Sequence, residues 1–355
     1  MIWLTWRQHR IGMLVLGLVL AGFTVFLVQD GLPAYIAYYR VVQGTSVATC
    51  MLQHRQDALC QALNSNFYMN FSARNFFGGF LHPDLLLVLL PILLLQALVG
   101  MFLGAPLVAS ELERGTFRLV WTQSVTRLRW MAGKVGALMS ITLLLFALIS
   151  LLVMWWNGPF DRLGGGVGLW SFDFEGIVPL AYMAYALSLA VTAGTLLRKT
   201  VPAMAVTLVG YLAARIPIEI WARPRYMPPL SVAWDPYSIV TLHEPFRATA
   251  LSGALWPYYG SDWIFYNGWV NHASHPIYEG DVYKACSAPP NWDDGGALPG
   301  TSFTACTHAH GWLYMITYQP ADRFWLYQGI ESAIFFGLAA ALLALAFWWV
   351  RTHIS

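Results

Sequence analysis

An all-α integral membrane fold, with six transmembrane helices and a small irregular external domain between the fifth and the sixth, is what this sequence predicts. Three observations lead there. Of 355 residues, 57% are apolar and 11% charged, against roughly 25% charged in an average soluble domain. The apolar residues gather in runs of about 20, the length that a helix rising 1.5 Å per residue needs to cross a hydrocarbon core of about 30 Å. Seventeen Trp and seventeen Tyr suit a chain with two water–membrane interfaces, where amphipathic rings settle. The formal net charge of +2 gives no ground for a nucleic-acid partner.

Taken in order, residues 1–10 are a short basic start. Residues 11–28 form the first span, too long for the apolar core of a signal peptide and followed by no small-x-small cleavage site, so it is read as retained. An external loop covers 29–84 and the second span 85–107. A cytoplasmic segment over 106–129 leads into the third span, 130–156. The loop 157–176 is external again. The fourth span, 177–197, and the fifth, 201–221, are joined by a very short turn. Arg215, Pro217 and Glu219 interrupt the outer end of the fifth, and Arg215 and Glu219, four apart, are placed to pair on one face. The external domain spans 222–323, with turn signals at Arg223-Pro224, Pro228-Pro229, Asp235-Pro236, 291–296 and Pro299-Gly300. The sixth span is 325–350 and the tail 351–355. Glu331 lies one to two turns inside that span, and an ionisable residue there is a candidate functional group.

Charge orients the bundle. The segments placed inside, with Lys134 at the mouth of the third span, hold ten basic residues and two acids, a net of +8 against −6 for the rest of the chain. Short basic inner loops are the mark of the cytoplasmic side, so both termini are expected there. All four cysteines, Cys50, Cys60, Cys286 and Cys306, fall in segments placed outside, where disulfides persist. Three connectivities are open to four cysteines. The preferred one joins Cys50 to Cys60, with a bend over 53–57, and Cys286 to Cys306.

The cytoplasmic segment after the second span is the most informative. Pro106 is expected to bend the chain. A short amphipathic helix should follow, apolar at Leu107, Val108 and Leu112 and ending near Gly115. Such a charged helix on the membrane surface suits docking of a soluble partner; an ordinary loop whose charges fix topology fits equally well. The stretch Glu111-Leu112-Glu113-Arg114-Gly115-Thr116 resembles the E-x-E-x-G-T element of permeases in the type-2 exporter class of ABC transporters. The opening Met1–Arg10 resembles the start of such permeases from actinobacteria and related soil bacteria, and the run from Tyr318 through Trp325 to Glu331 resembles their closing segment.

That resemblance implies a fold like the G-subfamily exporters, in the bacterial cell membrane. Met1–Arg10 would be an amphipathic connecting helix on the inner leaflet. Pro106–Thr116 would be the coupling helix seated in a cytoplasmic ATPase, with Glu111, Glu113 and Arg114 in polar contact and Pro106, Gly115 and Thr116 shaping it. Two ATPase copies would serve a permease homodimer embedded in lipid. The second and fifth spans would line the pathway, through Leu94, Leu98, Met101 and Phe102 on one and Thr207, Gly210 and Tyr211 on the other, although plain helix packing explains each of these singly. The cargo would be hydrophobic or amphipathic: a drug, antibiotic or lipid.

No nucleotide site is expected in this chain. A phosphate-binding loop needs G-x-x-x-x-G-K-[ST], whereas Gly133-Lys134 runs into Val135 and Gly164–Gly166 lies in a turn. ATP and Mg²⁺ would therefore sit on the partner. The sequence has no H-E-x-x-H, G-x-S-x-G or S-x-x-K. His308 and His310 near Cys306, with His243, His272 and His275, match no standard zinc spacing, so no metal is expected. The other reading open to the sequence is a membrane-anchored assembly or sensory protein with a ligand-binding external domain.

Overall fold

The computed structural model describes residues 94–115, 126–164, 172–235, 237, 263–286 and 301–353, with helical positions at intervals between 17 and 36. Most of the first expected span, the start 1–10 and the loop bearing Cys50 and Cys60 lie outside the described residues. Among these, five helices are long and apolar enough to cross a membrane. They are α1 (Leu94–Arg114), α2 (Arg127–Gly164), α3 (Val178–Leu197), α4 (Thr200–Pro217, continued by short turns to Arg225) and α7 (Phe324–His353). Between α4 and α7 lie β1 (Leu230–Trp234), β2 (Trp263–Val270), α5 (Glu279–Cys286), α6 (Thr301–Ala309) and β3 (Leu313–Gln319).

α3 is the axis of the bundle. Its sequence is apolar on every side, as a helix surrounded by others must be, and α1, α2, α4 and α7 all pack on it. Tyr182 and Tyr185 meet Phe335 of α7 edge-on at 4.8 and 5.3 Å between ring centres. Where α1 crosses, small residues replace large ones: a Cβ on Gly100 would lie 2.9 Å from the Ala186 carbonyl, and one on Gly104 2.8 Å from the Ala190 methyl. Lipid gives apolar helices no hydrophobic reason to associate, so backbone contact of this kind carries the packing.

One expectation is corrected here. Pro106 does not separate a short helix from the second span; α1 runs through it without a break to Arg114. The reason is the turn before it. Gly100–Gly104 is a π-helical turn in which the Ala105 N–H bonds the Gly100 carbonyl, and this wider turn absorbs the donor that Pro106 lacks. The helix then stops at Gly115, whose φ of 68° gives the left-handed cap expected there. α2 likewise outruns its expected end at 156 and reaches Gly164, about 57 Å at 1.5 Å per residue, so it extends past a single bilayer core.

A second correction concerns the segment between α4 and α7. Its described residues form an α/β unit with a sheet, rather than irregular structure, and so add strands to a mainly helical chain. Its antiparallel sheet has the order β1–β3–β2, with Trp234 opposite Tyr314 and Trp269 opposite the same Tyr314 across the central strand. Alternation puts Val232, Trp234, Tyr314, Ile316 and Tyr318 on the face covered by α5 and α6. Ser231 and Thr317 hydrogen-bond on the other face. Trp269 is fully buried against Phe303 and Tyr314. Cys286 and Cys306 are disulfide-bonded, which joins the ends of α5 and α6.

Candidate functional site

The strongest concentration of chemistry is a buried polar cluster where α3 and α7 begin and α4 ends, beneath the sheet. Sequence pairing anticipates part of it: Arg215 Nη1 stands 3.1 Å from Glu219 Oε2. The larger part comes from residues distant in sequence. Arg223 donates from Nε and Nη2 to the two oxygens of Glu331, each at 2.8 Å, and from Nη2 to Asp173 Oδ1 at 2.8 Å. Arg215 Nη2 lies 2.6 Å from Asp173 Oδ2. The Tyr182 hydroxyl donates to Glu331 and accepts from Arg223 at 3.0 Å. Arg215, Arg223 and Glu331 are buried almost completely.

Local structure explains the convergence. Pro217 removes one donor inside α4, and the helix responds with a π turn over Ile218–Ala222 followed by a 3₁₀ turn over Arg223–Arg225. Arg215, Glu219 and Arg223 thereby stay on the side that meets α3 and α7. The guanidinium planes also stack on rings, Arg215 at 4.2 Å from the Tyr182 centre and Arg223 at 4.4 Å from that of Phe172. Taking an ion out of water costs several kcal/mol, which only close opposite charges and hydrogen bonds offset. Burial alone would raise the Asp173 carboxyl; Arg215 and Arg223 outweigh it and hold that group below the usual carboxylate range. Burial, with Glu331 beside it, raises the Tyr226 hydroxyl above its ordinary value.

Gln328 completes this end. Its carbonyl oxygen accepts from the backbone of Ile177 and Val178 at 3.0 and 2.9 Å, capping α3, while its amide donates to Phe172 O at 2.9 Å. Gly176, at φ 72°, leaves no room for a side chain, since a Cβ would fall 2.7 Å from Gln328. The sheet is tied down just above, Gln319 donating to Met227 O at 2.7 Å and Arg323 to Pro228 O at 2.9 Å. Sequence reasoning singled out Glu331, Arg215 and Glu219 but missed Asp173, Arg223, Tyr182 and Gln328. Arg223 carried a legible signal: it follows Arg215 and Glu219 at the same spacing.

The opposite end of the bundle holds the residues assigned to coupling. Glu111 is buried and pairs with Lys134 of α2. Its carboxylate therefore faces the bundle, which corrects the expectation that it contacts a soluble partner. Glu113 and Arg114 are exposed. Glu113 accepts from the Thr200 backbone and hydroxyl at 3.1 and 2.9 Å, holding the first turn of α4. Thr116 lies outside the described residues.

The pathway candidates divide. Phe102 is 58% exposed, and Leu94, Leu98 and Met101 are half-buried. Thr207 and Tyr211 are fully buried, the latter stacked on Tyr185, and the Gly210 carbonyl accepts from the Tyr185 hydroxyl at 3.1 Å. Thr207 and Tyr211 are turned into the bundle, and Gly210, half-buried, lies against Leu189 of α3. As for a metal, Cys286, Cys306 and His310 bring ligand atoms within 4.8 Å of one another, but the two sulfurs are joined to each other. His308 pairs with Asp235 and stacks on Tyr237 instead.

No curated protein and no solved structure matched the chain. The ABC-2 membrane transporter related family matches residues 16–223, a stretch that includes the glycine-lined crossing of α1 on α3 and closes on Arg223. Apolar helices packed through small residues, with ions confined to paired positions, are what that family's multi-pass membrane character requires, and with the match covering more than half its length the chain belongs to the ABC-2 membrane transporter related family.

Proposed function

We propose that this chain is the permease subunit of an ATP-driven exporter, moving a hydrophobic or amphipathic cargo by alternating access at the interface of two permease copies. The family match over residues 16–223 carries this reading. A separate ATPase, in two copies, supplies the ATP and Mg²⁺ chemistry and docks at the end of the bundle bearing Glu113, Arg114 and Arg198. That end faces the cytoplasm of a bacterial cell, because its exposed charges are mainly basic, and the disulfide-braced sheet lies outside.

Two features refine the mechanism. The docking element is the last turns of α1 rather than a separate helix. Glu113 and Arg114 are its surface groups, and the Glu111–Lys134 pair supports it from within. A push there travels along a continuous helix to its glycine contacts with α3. The pathway face of α4 is its outward one, through Val201, Val209, Ile216 and Ile220, all exposed, with Phe102 of α1. Co-purification with a P-loop ATPase, followed by cargo-stimulated hydrolysis in liposomes, tests the proposal. A chain that recruits no ATPase and leaves hydrolysis unchanged would instead be a non-transporting membrane protein.

A further inference from the structure

The turn between α3 and α4 and the last turn of α7 meet at the bundle end opposite the sheet. Arg198, at φ 53°, takes the left-handed conformation that L side chains disfavour. There its Nη2 donates to the His353 carbonyl at 2.9 Å. This bond holds the Arg198 side chain against the last turn of α7, which carries Arg351, and the side chains of Arg198, Lys199 and Arg351 are all exposed. Aromatic groups adjoin them. Trp349 stacks on His353 at 4.0 Å and 9° between planes, and Trp348 is 53% exposed. The Trp349 indole N–H is shielded from solvent yet has no hydrogen-bond acceptor among the described residues. Glu113, the exposed acid at this end, is already engaged by Thr200.

We propose that these residues bind the headgroup of an anionic phospholipid. A guanidinium and an ammonium suit a phosphodiester, and an indole N–H at the rim of the bilayer suits an ester or glycerol oxygen. Lipid fits better than a soluble protein because of reach. Only Arg198 and Lys199 separate two membrane-length helices, so the turn stays at headgroup depth, and Trp348 opens sideways from the bundle where acyl chains would lie. The inference rests on the multi-pass membrane character of the chain and is independent of whether it transports.

The test is native mass spectrometry of the full chain, delipidated in neutral detergent and titrated with phosphatidylglycerol, with phosphatidylcholine or with inorganic phosphate. Phosphatidylglycerol should be retained in preference to phosphatidylcholine, and millimolar phosphate should not displace it. Lys199→Gln with Arg351→Gln removes two exposed charges and none of the hydrogen bonds or ion pairs described above, which leaves the fold intact. At about 1 kcal/mol per basic residue near a lipid surface, the pair should weaken phosphatidylglycerol binding about thirtyfold and leave phosphatidylcholine unchanged. Arg198→Lys should weaken it less. Equal retention of both lipids, displacement by free phosphate, or unchanged binding in the double variant would overturn the proposal. So would a charge dependence seen only in association with an acidic protein.

Discussion

The two ends of the bundle handle charge in different ways. Beneath the sheet, two guanidiniums, Glu331 and Tyr182 are buried together with a half-buried Asp173, and the elements that meet there are joined through more than one bond each. At the other end, among the described residues, Glu111 is buried in a pair with Lys134, and the bonds from Glu113 to Thr200 and from Arg198 to His353 are exposed. One end is built as a fixed joint. The other is a set of separate ties between helix ends, which a partner or a lipid can approach. The difference follows from where water is: buried charges must find opposite charges within the protein, while exposed pairs contribute little and yield easily.

The largest effect should come from breaking the joint. Arg223→Ala leaves Glu331 and Asp173 short of a buried partner and should cost about 3–5 kcal/mol, read as a fall in the thermal unfolding midpoint in detergent. Replacing Arg223 and Glu331 together by Met and Leu should cost less, since neither charge is then stranded. A single and a double variant of equal stability would show that the cluster does not act as a unit.

At the other end the comparison sharpens into Glu111→Ala against Glu113→Ala. The first strands Lys134 at 2% exposure and should cost about 3 kcal/mol. The second removes an exposed helix-end contact and should change stability far less, while weakening ATPase association if α1 is the docking element. Equal losses from the two variants would mean that Glu111 is not paired as described.

Gly100→Leu should fall next, at about 1–3 kcal/mol for forcing bulk into a packed crossing, visible as loss of a monodisperse peak on size exclusion. Gly133→Leu, where a Cβ meets nothing within 4 Å, is the matched control and should be neutral.

The smallest effect is in pH. The Asp173 carboxyl is held low, so its contribution is present above the pKa of an unfolded aspartate and is lost only as pH falls through the lower folded value. Stability at mildly acidic pH should therefore be retained by the native chain. Asp173→Asn should lower stability at neutral pH and remove part of the decline in strong acid. A variant whose acid profile parallels the native one would remove Asp173 from the joint.

The residues explain what sequence could and could not deliver. α3, α4 and α7 were legible to within a few residues, because about 20 apolar residues in a row have one physical reading. The Arg215–Glu219 contact was legible too, since i,i+4 spacing is local. The rest of the joint was not: Arg223 and Glu331 are 108 residues apart, and only the packing of α3 against α4 and α7 brings them together. The strands were missed although Trp263–Val270 and Leu313–Gln319 carry the aromatic and β-branched residues that favour pleated structure. Their neighbouring Pro, Gly and Asn signals had been read as one irregular domain. Pro106 was misjudged for a different reason, namely that the compensation lies upstream of it.

That compensation fixes the direction in which a whole helix end points. A π turn holds one residue more than the α turn it replaces, so everything after Gly104 is rotated about 100° from where an unbroken α-helix would set it. The phase set at Gly100–Gly104 decides that Glu111 faces Lys134 and that Glu113 reaches Thr200. Closing the π turn to an α turn with every residue kept would rotate Glu111 and Glu113 off Lys134 and Thr200, whereas deleting Met101 as the turn closes would leave both in phase with their partners.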